Sequence, residues 1–63
     1  MMTKLKELRK TAGLTQPQLA DQIGVKRTAL TNWETGVNNI PSKYLLALAE
    51  ALNCSVEELL KPA

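Results

Sequence analysis

Apolar residues recur along this chain at helical spacing, in short runs closed by glycine, asparagine or proline. Leu5, Leu8 and Ala12 stand at i, i+3 and i+7, with Lys4, Lys6, Glu7 and Lys10 on other faces. This predicts a first helix over residues 3–12 with one buried side. Gly13 supplies a left-handed stop, and Leu14 is placed to pack back on the helix end. Thr15-Gln16-Pro17-Gln18 opens a second helix. Thr15 caps it, Gln18 completes a capping box, and Pro17 sits in the first turn, where its missing N–H is not needed. Leu19, Ala20 and Ile23 form the apolar stripe, and Gly24 ends the run. A third helix over residues 27–35 buries Leu30 and Trp33 and stops at Gly36. Residues 37–41 form a loop. Ser42 is expected to cap a fourth helix that buries Leu45, Leu48, Ala49 and Leu52 and stops at Asn53. Ser55-Val56-Glu57-Glu58 reads as a second capping box. It opens a fifth helix with Val56, Leu59 and Leu60 apolar, and Pro62 closes it. The expected fold class is all-α, a compact five-helix bundle forming one domain over residues 1–63.

The segment 16–35 carries the strongest geometric signal. Two short helices separated by three residues must cross steeply, near the ~90–120° of a helix-turn-helix. The first helix must then be thin at the crossing, and Ala20 is there. The turn needs a residue that tolerates positive φ, and Gly24 is there. Leu19, Ile23, Val25, Leu30 and Trp33 supply apolar inner faces. With Leu30 and Trp33 inward, the outer face of the third helix is polar: Arg27, Thr28, Thr31, Asn32 and Thr35. The major groove of DNA admits one α-helix and presents hydrogen-bonding base edges. Arg27 can bond guanine O6 and N7 together, Asn32 can bond adenine N6 and N7, and Thr28 can donate, accept or touch a thymine methyl. The alternative is a solvated polar face.

Charge sharpens this picture. The net charge is +2. Residues 1–27 hold six cations against two anions, giving +4, and residues 28–63 hold two cations against four anions, giving −2. A basic first half suits a polyanionic partner. The chain has 63 residues, 44% hydrophobic, with Trp33 and Tyr44 as its two aromatics. Aliphatic packing must fill the core, and so short a domain buries only ~60% of its unfolded surface. The single cysteine makes no intramolecular disulfide and fits a reducing compartment. No apolar signal core follows Met1-Met2-Thr3-Lys4, and the longest apolar run, residues 44–49, is far below the ~20 residues of a membrane span. A cytoplasmic protein is expected, with neither membrane nor small-molecule partner.

Several further signatures occur in order. A Leu-Arg pair lies near the end of the first helix, Gly-Leu-Thr-Gln opens the second, and Leu-Ala…Ile-Gly-Val runs through the turn. Trp-Glu-x-Gly closes the third helix, Leu-x-x-Leu-Ala-x-Ala-Leu forms the fourth, and Ser-Val-Glu-Glu-Leu-Leu forms the fifth. From Leu5 to Leu60 the pattern resembles the Cro/repressor-type helix-turn-helix family, also called the XRE family.

The resemblance implies a lambda-repressor-like five-helix fold whose third helix reads bases, here through Arg27, Thr28, Thr31 and Asn32. It implies that Gln16, at the start of the second helix, reaches a phosphate and braces the third. Asn38, Asn39 and Lys43 are placed to grip the backbone on the other side, although Lys43 alone reads equally as a solvated lysine. Lys26 departs from the family, which has a capping Ser or Thr there. Losing that cap costs ~1 kcal/mol, and a local rule broken beside the candidate face points to contact with a phosphate or a guanine, the alternative being a tolerated, mildly destabilising substitution. The family also pairs an arginine like Arg9 with the glutamate that ends the third helix, here Glu34. Buried, such a pair is expensive to break; exposed, it contributes only ~0–1 kcal/mol. Cys54 takes the place of a small apolar residue and is expected to be a core thiol.

Family members commonly bind two-fold symmetric operators as homodimers, with half-sites about one turn (~34 Å) apart. Val56, Leu60 and Leu46 are the candidate dimer contacts, the alternative being that the fifth helix only closes the core. Without histidine and with one cysteine, a zinc site is not expected. No phosphate-binding glycine loop or nucleophile–base pair stands out, so neither cofactor nor enzymatic activity is expected. The sequence thus points to a duplex-DNA-binding repressor acting by operator occlusion. The rival reading is an antitoxin-like or other protein-interaction module on the same fold.

Overall fold

Four residues in the left-handed region decide where helices stop. Gly13, Gly24 and Gly36 have φ of 76°, 78° and 81°, and Asn53 has φ of 53°. The computed structural model describes residues 4–61. Between those stops lie α1 (Leu5–Thr11), α2 (Gln16–Ile23), α3 (Arg27–Thr35), α4 (Ser42–Leu52) and α5 (Val56–Leu60), with no strand among the described residues. The all-α, five-helix expectation holds. Thr3 and Pro62, expected to open the first helix and close the last, lie outside the described residues.

Helix ends follow their local chemistry closely. The N–H groups of Gly13 and Leu14 bond the carbonyls of Lys10 (3.0 Å) and Arg9 (3.2 Å), and these bonds close α1. They stop the helix at Thr11, so Ala12 is its exposed C-cap and not a core residue. Both arms of the capping box on α2 are made: Gln18 N–H donates to Thr15 Oγ1 (3.2 Å), and Thr15 N–H donates to Gln18 Oε1 (2.9 Å). Gly24 and Val25 turn back onto the carbonyls of Asp21 and Ala20.

Three expectations need correction. Pro41, not Ser42, is the N-cap of α4, and Ser42 makes no capping bond. The Tyr44 N–H already reaches the Pro41 carbonyl at 3.0 Å, so the helix begins one residue earlier than a serine cap would allow. Leu45 is only half-buried, because it sits in the first turn at the rim of the core. At α5 only one arm of the expected capping box forms among the described residues, from Glu58 N–H to Ser55 Oγ at 3.2 Å.

The core is a convergence of leucines. Leu5, Leu19, Leu30, Leu48 and Leu59, one from each helix, are 0% exposed. Ala20, Trp33, Ala49 and Leu52 complete the buried set. Fully burying such a side chain is worth ~1.5–3 kcal/mol over leaving it in water. α2 packs on α3 and α4, α1 on α3, and α5 on α4. The small Ala20 lets α2 and α3 approach. Trp33 carries the contact on to α4, its ring centroid 5.5 Å from that of Tyr44. The Lys4 N–H bonds the Lys61 carbonyl at 3.2 Å, which ties the two ends of the described chain together. Leu60 is 58% exposed: α5 is little more than one turn, and Leu59 and Val56 face the core in its place.

Among these apolar groups lies one ion pair. Arg9 Nε donates to Glu34 Oε2 at 2.6 Å, and the second guanidinium arm reaches Glu34 Oε1 at 3.3 Å. Arg9 is 8% exposed and Glu34 1%. The buried alternative for this pair is therefore the correct one.

Two stability predictions follow from this packing. Glu34→Leu leaves the Arg9 guanidinium buried without its counter-charge and is expected to cost ~3–5 kcal/mol. Arg9→Met combined with Glu34→Leu removes both charges and is expected to recover most of that loss. Urea unfolding followed by circular dichroism measures both, and equal losses in the single and double variants would contradict the coupling. Gly24→Ala meets no atom within 4 Å of its new Cβ. Its cost should be that of the left-handed backbone alone, ~1–2 kcal/mol by the same assay, and Gly24→Asn should cost less.

Candidate nucleic-acid interface

α3 divides cleanly by environment. Leu30, Trp33 and Glu34 are buried, while Arg27, Thr28 and Thr35 are exposed and Thr31 and Asn32 half-buried. The polar residues stand at i, i+1, i+4, i+5 and i+8, which is one face of a helix. The Arg27, Thr28 and Asn32 side chains make no hydrogen bond within the described residues, so their donors and acceptors are open to a ligand. Thr31 differs. Its hydroxyl donates to the Arg27 carbonyl at 3.0 Å and lies 3.4 Å from Gln16 Oε1. Its single proton is thereby engaged, which leaves the oxygen lone pairs and the methyl. Thr35 Oγ1 is likewise turned onto its own helix, bonding the Thr31 carbonyl at 3.0 Å.

The N-terminus of α3 is uncapped by any side chain. Lys26 takes extended N-cap angles (φ −78°, ψ 148°) and offers no capping bond. Its ammonium is exposed beside Arg27, and both project from the end where α3 carries its partial positive charge. Cations at that end are locally unfavourable in the free protein, in addition to the missing cap that singled Lys26 out.

Gln16, the first residue of α2, sits between the core and this face. Its Nε2 donates to Glu34 Oε1 at 2.9 Å. The bracing of α3 that the family resemblance implies is therefore made through Glu34 as well as Thr31. Arg9 also donates from Nη1 to the Leu14 carbonyl at 2.8 Å, so the polar cluster takes in the loop before α2. The Gln16–Glu34 bond had no signal in the sequence. The two residues lie 18 apart, on different helices, and the packing of α2 on α3 brings them together.

The loop 37–41 follows α3 directly. Asn38 and Asn39 are exposed, and the Asn38 N–H bonds the Asn32 carbonyl at 3.2 Å, which holds the loop against the end of α3. Lys43 is exposed with its Nζ 5.0 Å from the Tyr44 ring centroid. That contact restrains the lysine while leaving its charge in water. Away from this region, Leu46 is 63% exposed and Val56 half-buried. Both line a shallow groove of about 620 Å³ between α4 and α5, with Cys54 also in its wall. Burial, and after it the Glu58 carboxylate, pushes the Cys54 thiol above its usual value. It stays protonated at neutral pH and is a poor nucleophile. No described helix is long and apolar enough to cross a membrane.

A helix-turn-helix family matches residues 5–59, nearly all of the described chain. Among characterised proteins, the transcriptional activator BcrR of Enterococcus faecalis is 39% identical over 90% of this chain, which spans 28% of BcrR. The transcriptional repressor RstR of the cryptic phage CTXphi in Vibrio cholerae is 36% identical over 89% of this chain, which spans 50% of RstR. Among solved structures, a chain from a complex of the SinR and SinI proteins superposes with a TM-score of 0.82 at 31% identity. That likeness covers 95% of this chain and 60% of the other. With its packed α2–α3 pair, its five-helix core and the match over residues 5–59, this chain belongs to the XRE-type, Cro/repressor-like helix-turn-helix family of DNA-binding transcription regulators.

Proposed function

We propose that this chain binds duplex DNA sequence-specifically, with α3 in the major groove, and represses transcription in the cytoplasm by occupying a two-fold symmetric operator as a homodimer. The observation that carries this reading is the division of α3. Leu30 and Trp33, at 0% and 5% exposure, anchor one side, and the unpartnered side chains of Arg27, Thr28 and Asn32 occupy the other. Arg27, Thr28 and Asn32 read base edges, with the Thr31 methyl beside them. Gln16, Lys26, Asn38, Asn39 and Lys43 contact phosphates and set register without reading sequence. The repressor of CTXphi supports repression as the sign of regulation. Leu46, Val56 and Leu60 lie on the α4–α5 side and form the dimer surface, where burying exposed leucine is favourable.

The exposed leucines, and a solved relative that is itself a complex of two proteins, support a second reading as a protein-interaction module. The two readings separate by salt. A DNA binder loses affinity linearly in log–log form as salt rises, with a slope of about −0.9 for each phosphate it neutralises. A flat response on mixed-sequence duplex would favour the interaction module.

Two substitutions test the assignment of roles. Arg27→Ala is expected to cost ~1–3 kcal/mol on the duplex that the unaltered chain prefers and to relax preference at one base pair. Equal loss on every sequence would make Arg27 a phosphate contact. Lys26→Ser should move stability and binding in opposite directions. Restoring the cap is expected to raise unfolding free energy by ~1 kcal/mol. Removing the cation should weaken binding on all duplexes alike and flatten the salt slope by ~0.9. Unchanged binding would place Lys26 off the interface.

A further inference from the structure

Glu34 does more than hold Arg9. Its Oε1 also receives the Gln16 Nε2–H at 2.9 Å, from a carboxylate that is 1% exposed. A carboxylate only accepts, so this contact decides which way the Gln16 carboxamide faces: nitrogen toward Glu34, oxygen toward Thr31. The Thr31 hydroxyl lies 3.4 Å from Gln16 Oε1, consistent with that orientation. Nε2 carries two hydrogens. One is held by Glu34, and the other has no acceptor among the described residues.

We propose that Glu34 is a positioning residue for DNA: through its hydrogen bond it fixes the Gln16 carboxamide so that the second Nε2–H is presented to a backbone phosphate. This rests on the reading of Gln16 as a phosphate contact. Arg9 holds the carboxylate from α1, Glu34 holds the amide from α3, and the amide stands at the start of α2. Three helices thus set the direction of one donor. Without the carboxylate, the carboxamide is free to rotate, and its oxygen, which a phosphate repels, competes for the same position. The orientation is present before DNA arrives, so binding loses less side-chain freedom.

The test is a mutant cycle on a mixed-sequence duplex at low, fixed salt, because a phosphate contact is independent of base sequence. Arg9→Met with Glu34→Leu removes the carboxylate while keeping both net charge and a filled core. Gln16→Ala removes the donor. Losing one hydrogen bond to a charged group is expected to weaken binding about tenfold in each case. The triple variant should lose no more than Gln16→Ala alone. Full addition of the two losses, or wild-type affinity in the Arg9→Met/Glu34→Leu protein, would overturn the proposal and leave Glu34 a purely structural residue. Absence of any binding by the unaltered chain would instead overturn the functional reading beneath it. A measurement on the unaltered protein does not depend on the variants folding. Slow C–N rotation keeps the two Nε2–H resonances of any glutamine apart, so the readout is their position: those of Gln16 should lie away from the positions of exposed glutamines in the free protein and should shift on adding duplex. Resonances at the exposed-glutamine positions, or none that move on binding, would sink the idea equally.

Discussion

A charge held at 1% exposure must be matched where it stands, and Glu34 is matched by groups from two other helices. Arg9 reaches it from α1, Gln16 from α2, and the carboxylate itself ends α3. No buried side-chain nitrogen or oxygen among the described residues lacks a partner. Removing both charged groups in favour of apolar ones leaves a core that packs about as well, so the pair adds little net stability. What it supplies is geometry. Hydrogen bonds of 2.6 to 3.3 Å tolerate little sliding, whereas leucine contacts tolerate a good deal. α3 is therefore held in rotation and along its axis relative to α1 and α2 by polar contacts, on top of an apolar core that only holds it close.

That division suits a domain this small. Five leucines at full burial, one per helix, concentrate the hydrophobic contribution at one point. Each helix is short, so none would be stable alone, and each depends on its leucine meeting the other four. α5 shows the minimum: two of its residues, Val56 and Leu59, join the core, while Leu60 faces water. An apolar side chain left out in this way is available to a second protein molecule, and it lies on α5 and not on the helix that carries Arg27.

Most of the fold was legible because its punctuation is local. Gly13, Gly24 and Asn53 stop helices by backbone chemistry that depends on one residue and its neighbours, and Thr15 with Gln18 makes both bonds that their spacing implies. The misread positions are those where a neighbour competes. Pro41 takes the capping place from Ser42 because its fixed φ of −62° already suits the position. Gly13 cuts α1 short of Ala12. Burial was read well at the centre of the stripes and poorly at their ends, as Leu45 shows, since periodicity gives a face but not the depth of the core beneath it. The candidate site splits in the same way. The exposed face of α3 follows from Leu30 and Trp33 pointing inward. The tie of Gln16 to Glu34 arises only from the crossing of two helices, which no spacing along the chain records.

Apart from Thr31, whose hydroxyl also lies against Gln16, the residues that hold α3 and the residues assigned to read DNA do not overlap. Leu30, Trp33 and Glu34 hold the helix; Arg27, Thr28 and Asn32 make no side-chain hydrogen bond within the described protein. Changing the second set leaves the buried contacts untouched, and surface changes of that kind shift stability by less than ~0.5 kcal/mol. The buried contacts of the fold therefore place no constraint on the identities of Arg27, Thr28 and Asn32. Lys26 is the exception at the boundary. It occupies a structural position, the cap of α3, with a side chain that cannot perform the structural task. A cation beside Arg27 at the positive end of a helix costs stability in the free protein, and an anion bound there would offset that cost.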